Sequence, residues 1–143
     1  MGRVILHIFL AVFLTALFAC EREDDHPVPF VRVDFNFNVL HYNLSNPGMT
    51  AQLAREESGG YRGIFVYRMS VDEFRAFDRA CPDNPHQCTL RISDENPLMV
   101  YAECCESEYL LIDGSVSQGP SNYPLREYRT SFNASSNRLT IVN

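Results

Sequence analysis

The sequence predicts an all-β fold, mainly antiparallel, built as a small sandwich or partly open barrel with one short helix. Three observations predict it. Residues 31–39 alternate apolar and polar without a break, short apolar runs recur from residue 89 onward, and turn-forming residues separate those runs. The chain has 143 residues, which suits one ordinary domain. Hydrophobic residues make up 45% and charged residues 21%, a globular composition rather than a disordered one.

In chain order, Val31-Arg32-Val33-Asp34-Phe35-Asn36-Phe37-Asn38-Val39 has the period of two expected of a half-buried strand. Residues 42–60 are polar and carry Asn46-Pro47-Gly48 and Gly59-Gly60, so turns and at most a short irregular strand are expected there. Gly63 to Arg68 is a second strand, more fully buried because its apolar residues are contiguous. Ser70-Val71-Asp72-Glu73 fits a capping box and predicts a short helix, on which Phe74 and Phe77 would serve as core anchors. Further strands are expected at 89–93, 99–102, 109–112, 126–132 and 138–142, with Asp113-Gly114 as a hairpin turn. Short strands with regular turns are the pattern of sandwiches and small barrels.

The N-terminus has a different character. Arg3 is followed by an apolar run from Val4 to Ala19, the layout of a secretory signal peptide and too short for a stable spanning helix. Leu17-Phe18-Ala19-Cys20 resembles a bacterial lipobox, which implies cleavage after residue 19 and lipidation of Cys20. Residues 20–29 are charged and contain proline, and read as a tether between the lipid and a single domain over 30–143. The formal charge is −6 and the pI about 5.1. Loss of the leader removes Arg3 and makes the chain more acidic still. No cluster of cations offers a phosphate-tracking surface, so nucleic acid is not an expected partner. The expected partner is a membrane, held through the N-terminal lipid, and the expected location is the bacterial cell envelope. No ligand or protein partner is named by these residues.

With Cys20 lipidated, Cys81, Cys88, Cys104 and Cys105 remain. An even number of cysteines in an exported chain favours disulfides, and a thiolate metal site is the rival. Zinc would take three of the cysteines with His86, or all four of them. A nucleophilic site would need a histidine beside Ser or Cys, and Cys81 or Cys88 with His86 is the one pairing close in sequence. No Gly-rich phosphate loop or EF-hand pattern occurs, and catalysis is not the expected role.

From Cys104 the chain reads CCESEYLLIDGSVSQGPSNYPLREYRTSFNASSNRLTIV. Ser107, Tyr109, Gly114, Gly119-Pro120, Pro124-Leu125 and Tyr128 follow in that order, and DEFRAFDRACP (Asp72 to Pro82) leads into the first cysteine. Over residues 61–143 this resembles the Rieske iron–sulfur domain. Along its whole length the chain is similar to the Rieske-like lipoproteins of bacterial envelopes, which begin with an alternating strand like that at 31–39.

The resemblance implies a [2Fe–2S] centre with two Cys thiolates on one iron and two His nitrogens on the other. The family supplies these as Cys-x-His in one loop and Cys-x-x-His in the next. Cys81 matches the first cysteine, but Asp83 stands at the first His, Ala102 at the second Cys and Cys105 at the second His. Most of the ligands are therefore missing, and no cofactor is expected. The resemblance also implies that the two loops lie side by side at one end of a sheet, which would gather the four cysteines. Bonding between the adjacent Cys104 and Cys105 would strain the peptide between them. Two cross-loop patterns remain: Cys81–Cys105 with Cys88–Cys104, or Cys81–Cys104 with Cys88–Cys105. The first is preferred because Cys81 and Cys105 occupy the family's ligand positions. The expected function is a structural or binding role in the envelope. The alternative is electron transfer through an atypical iron–sulfur centre.

Overall fold

The computed structural model describes residues 25–143. The leader and Cys20 lie outside the described residues. The described residues form ten strands in two antiparallel sheets. Strands β1 (Asp34–Asn38), β2 (Thr50–Leu53), β3 (Ile64–Arg68), β4 (Phe74–Asp78), β9 (Glu127–Asn133) and β10 (Arg138–Val142) make a six-stranded sheet in the order β1-β10-β9-β4-β3-β2. Strands β5 (Arg91–Ile92), β6 (Met99–Ala102), β7 (Cys105–Leu110) and β8 (Val116–Gln118) make a four-stranded sheet inserted between β4 and β9. The all-β reading therefore holds.

The alternation at the start of the domain does what its period dictates. Val33, Phe37 and Val39 are buried in one apolar cluster with Leu139 and Ile141 of β10. The polar residues between them face outward, and Asn36 Nδ2 donates to Thr140 Oγ1 across the strand pair at 2.6 Å. Domain contacts begin earlier than residue 30. Val28 is fully buried, its carbonyl accepts from Arg126 Nε, and His26 lies 3.0 Å from the Pro124 carbonyl. The end of the stretch read as a tether thus packs against the domain, with Val28 buried and held by Arg126.

Strands β3 and β4 are the hub. Ile64, Val66, Phe74 and Ala76 point into the first apolar cluster, while Phe65, Tyr67 and Phe77 point into a second cluster shared with the small sheet. Burial on both faces is why β3 lacks alternation in the sequence. It also corrects the expected helix after Ser70. Ser70 Oγ does accept from the Glu73 N–H at 3.2 Å, but this contact closes the β3–β4 turn instead of capping a helix. A helix would set Phe74 and Phe77 on one face, whereas the strand sends them into separate clusters. The helical turns lie elsewhere, as a 3-10 turn at Val39–Tyr42 and helix α1 at Arg55–Ser58.

The small sheet packs Val100, Tyr109 and Leu111 against Phe65 and Phe77, so its tip stands at a fixed height above the large sheet. The Asp113-Gly114 turn joins β7 to β8, with the Gly114 N–H donating to the Leu110 carbonyl at 2.8 Å. Gly114 has φ +74°, and a Cβ there would meet the Phe77 ring at 2.7 Å. Among the described residues no helix is long and apolar enough to cross a membrane.

Candidate functional site: a doubly bridged loop pair

Two segments meet at the tip of the small sheet. The first, residues 81–88, is closed at its base by an antiparallel bridge between Ala80 and Thr89 and by the Cys81 N–H donating to the Cys88 carbonyl at 3.1 Å. The second is the β6–β7 hairpin, where Ala102 pairs with Cys105 around a turn at Glu103 and Cys104. Strand β7 begins at Cys105, four residues before the expected start at Tyr109. Cys105, Ser107 and Tyr109 are buried while Glu106 is exposed and Glu108 half-buried, so this strand also has a period of two. Its first inward residues, Cys105 and Ser107, are short, which hid the start of the strand.

Both disulfides cross between the segments. Cys81 is bonded to Cys105 with Cα atoms 6.1 Å apart, and Cys88 to Cys104 with Cα atoms 5.7 Å apart. This is the first of the two cross-loop patterns. Cys81, Cys88 and Cys105 are buried, whereas Cys104 is exposed at the hairpin turn. The Sγ atoms of Cys81, Cys88 and Cys105 lie within 4.8 Å of one another. Separated by reduction, those three sulfurs would be near enough for a thiophilic cation after small movements. While the bridges are intact, none of these four cysteines is available as a metal ligand or nucleophile.

The remaining sequence candidates take separate positions. Asp83 is exposed, and its carboxylate accepts from the Tyr109 hydroxyl at 3.4 Å. Ala102 is buried and offers no ligand atom. His86 is exposed, with Nδ1 2.7 Å from the Tyr61 hydroxyl, and it does not join the cysteine cluster. A His₂Cys₂ iron–sulfur centre does not fit this donor set. Cys81 and Cys105 bond to each other, Asp83 is engaged elsewhere, and Ala102 has nothing to give.

Tyr109 stands beneath the loops. Burial pushes its phenol up to about 12; hydroxyl contacts from Ser121 and Ser107 oppose this, and the Asp83 carboxylate adds to the rise. Ser107 is itself fully buried and its Oγ accepts from the Ser121 N–H at 3.0 Å. That contact brings in the segment after β8, where Gly119 at φ +104° passes so close that a Cβ would lie 2.4 Å from the Glu106 carbonyl oxygen. Only glycine allows that approach.

The residue that sequence reasoning missed is Asp78. It is fully buried at the end of β4, and its carboxylate accepts from the N–H groups of Tyr61 (2.5 Å), Arg62 (3.2 Å) and Ala80 (2.8 Å) and from the Tyr128 hydroxyl (2.6 Å). Burial, followed by the Asp78 charge and hydrogen bond, raises the Tyr128 phenol well above its ordinary value. Asp78 thus fixes the backbone that leads into Cys81 and ties it to β9. No sequence signal set it apart, because its partners Tyr61, Arg62 and Tyr128 are distant in the chain.

The chain matches no family model, no curated protein and no solved structure.

Proposed function

We propose that the chain is an exported, lipid-anchored protein of the bacterial envelope. In this reading its domain is of a Rieske-like kind in which disulfides take the place of a metal cluster, and it serves as a structural or binding module. The observation that carries the reading is the Cys81–Cys105 bridge. It joins two of the four positions at which the family resemblance expects cluster ligands, one from each of the two segments a cluster would hold together. Persistent disulfides in turn favour an oxidising compartment, which agrees with the leader and with lipidation at Cys20. A bridge of this kind contributes roughly 2–4 kcal/mol to stability.

The closeness of the Cys81, Cys88 and Cys105 sulfurs favours a second reading, a thiolate site for zinc or an atypical iron–sulfur centre formed when the bridges are open. The electron-transfer alternative requires that state. Expression of the full chain in a bacterial host tests both. The proposal expects a membrane-fraction protein whose mature N-terminus is an acylated Cys20, colourless and free of stoichiometric iron or zinc. Visible absorbance with stoichiometric iron would favour electron transfer, and an unmodified soluble N-terminus would remove the envelope anchor.

A further inference from the structure

The basic residues of this acidic chain are all arginines, 12 in number, and three of them converge beside the bridged loop. Arg55, Arg62 and Arg79 line a depression of about 270 Å³, together with Ala54, Glu56 and Thr89. The depression lies where α1, the approach to β3 and the base of the 81–88 loop come together.

Two of these guanidinium groups are held by carbonyl oxygens. Arg62 Nε donates to the Pro85 carbonyl at 3.2 Å, and its Nη2 donates to the His86 carbonyl. Arg79 Nε donates to the Leu90 carbonyl at 3.4 Å and its Nη1 to the Leu53 carbonyl at 3.1 Å, with Cζ 5.6 Å over the Phe65 ring. Carbonyl anchors orient a guanidinium without cancelling its charge. Among the described residues the salt bridges involve Arg75 and Arg91, and none uses Arg55, Arg62 or Arg79. Glu56 is the one carboxylate of the lining and makes no ion pair with the three arginines. Burial lowers the Arg79 pKa from its ordinary value, with the Asp78 charge opposing, so a bound anion would relieve a desolvated cation.

We propose that this depression is a binding site for a phosphoryl or sulfuryl group, with Arg62 and Arg79 as pre-oriented forks, Arg55 as the third cation and the Thr89 hydroxyl as a further donor. Arginine suits this task because its planar donors match tetrahedral oxyanions in pairs. Pre-orientation lowers the entropy lost on binding. Both anchors of Arg62 belong to the segment closed by the Cys81 and Cys88 bridges, so the covalent staple also holds the anion site in shape. This inference does not depend on the envelope assignment.

The test is titration of the full chain with inorganic phosphate at constant ionic strength, followed by calorimetry. A parallel arm measures retention on phosphatidylcholine vesicles with and without phosphatidic acid. Saturable binding in either arm supports the site and identifies its source as the free ion or a headgroup. Arg55→Ala and Arg62→Gln are each expected to weaken binding by about tenfold or more. Arg32→Gln, the same loss of charge at an exposed residue elsewhere, is expected to leave it unchanged. Arg55 makes no loop-anchoring contact in the structure, so its variant separates binding from folding. Absence of saturable binding in both arms, or equal weakening by Arg32→Gln, overturns the proposal.

Discussion

Asp78→Asn removes one charge and almost no volume, which makes it a sharp probe of how the bridged loop is founded. The carboxylate accepts four hydrogen bonds, three from backbone N–H groups and one from Tyr128. An asparagine oxygen can keep the two donors on one side, but its amide nitrogen then faces the other two. In the orientation that keeps Arg62 and Ala80 bonded, the Tyr128 hydroxyl can turn to accept, while the Tyr61 N–H is left facing an N–H₂ group. The opposite orientation orphans two backbone N–H groups. One buried orphan costs roughly 1–3 kcal/mol, and each bond kept to a neutral acceptor is weaker than one to a carboxylate, so the total is about 3–5 kcal/mol. For a domain of this size that lowers Tm by roughly 10–20 °C. Tyr128→Phe should cost only about 1–2 kcal/mol, because the carboxylate keeps its three N–H donors. Urea unfolding of the three proteins, with equal m-values, is the assay. An Asp78→Asn variant within about 1 kcal/mol of the parent, or a Tyr128→Phe variant that costs as much, would refute the reasoning.

Limiting dithiol should open Cys88–Cys104 before Cys81–Cys105, because Cys104 alone of the four is exposed. Timed alkylation and peptide mapping would read the order, and simultaneous opening would contradict it. Gly119→Ala should destabilise by roughly 1–3 kcal/mol, since φ is +104° and a methyl would strike the Glu106 carbonyl; an unchanged denaturation midpoint would sink this. Alkaline pH should also lower stability. The Tyr109 phenol titrates at about 12 when folded and near 10 when unfolded, so the unfolded state loses its proton first. That part of the stability is complete below about pH 10 and is lost as pH rises through about 12. Phenolate absorbance should show Tyr109 ionising only as the fold is lost, and a normal titration in a still-folded chain would contradict this.

Strands whose stability depends on their own pattern were legible in the sequence. The alternation at 31–39 marked β1, and the short apolar runs at Met99–Ala102 and Arg138–Val142 coincide with β6 and β10. Elements defined by partners distant in sequence were not. The Ser70 capping signal is local and real, yet burial of Phe74 and Phe77 in two different clusters outweighs it. Strand β2 lies in a stretch read as turns with a short irregular strand, and its place could not be fixed because only Ala51 and Leu53 face the core and β3 supplies its pairing. Asp78 looks like any surface acid until β9 brings Tyr128, fifty residues away, to its carboxylate. At the site, spacing could gather the cysteines into one group only through the family resemblance, and the hairpin register then decides which sulfurs meet. Arg62 and Arg79 gave no signal, since what sets them apart is the carbonyl oxygens they reach across the fold.

Two covalent bridges hold the 81–88 segment to the β6–β7 hairpin. A proteolytic map of the purified full chain under non-reducing, thiol-blocked conditions, with metal analysis on the same sample, reads these links. The expected map has Cys81 linked to Cys105 and Cys88 linked to Cys104, with none of the four available to alkylation and no stoichiometric metal. Free thiols at Cys81 and Cys105 accompanied by bound iron or zinc would contradict it.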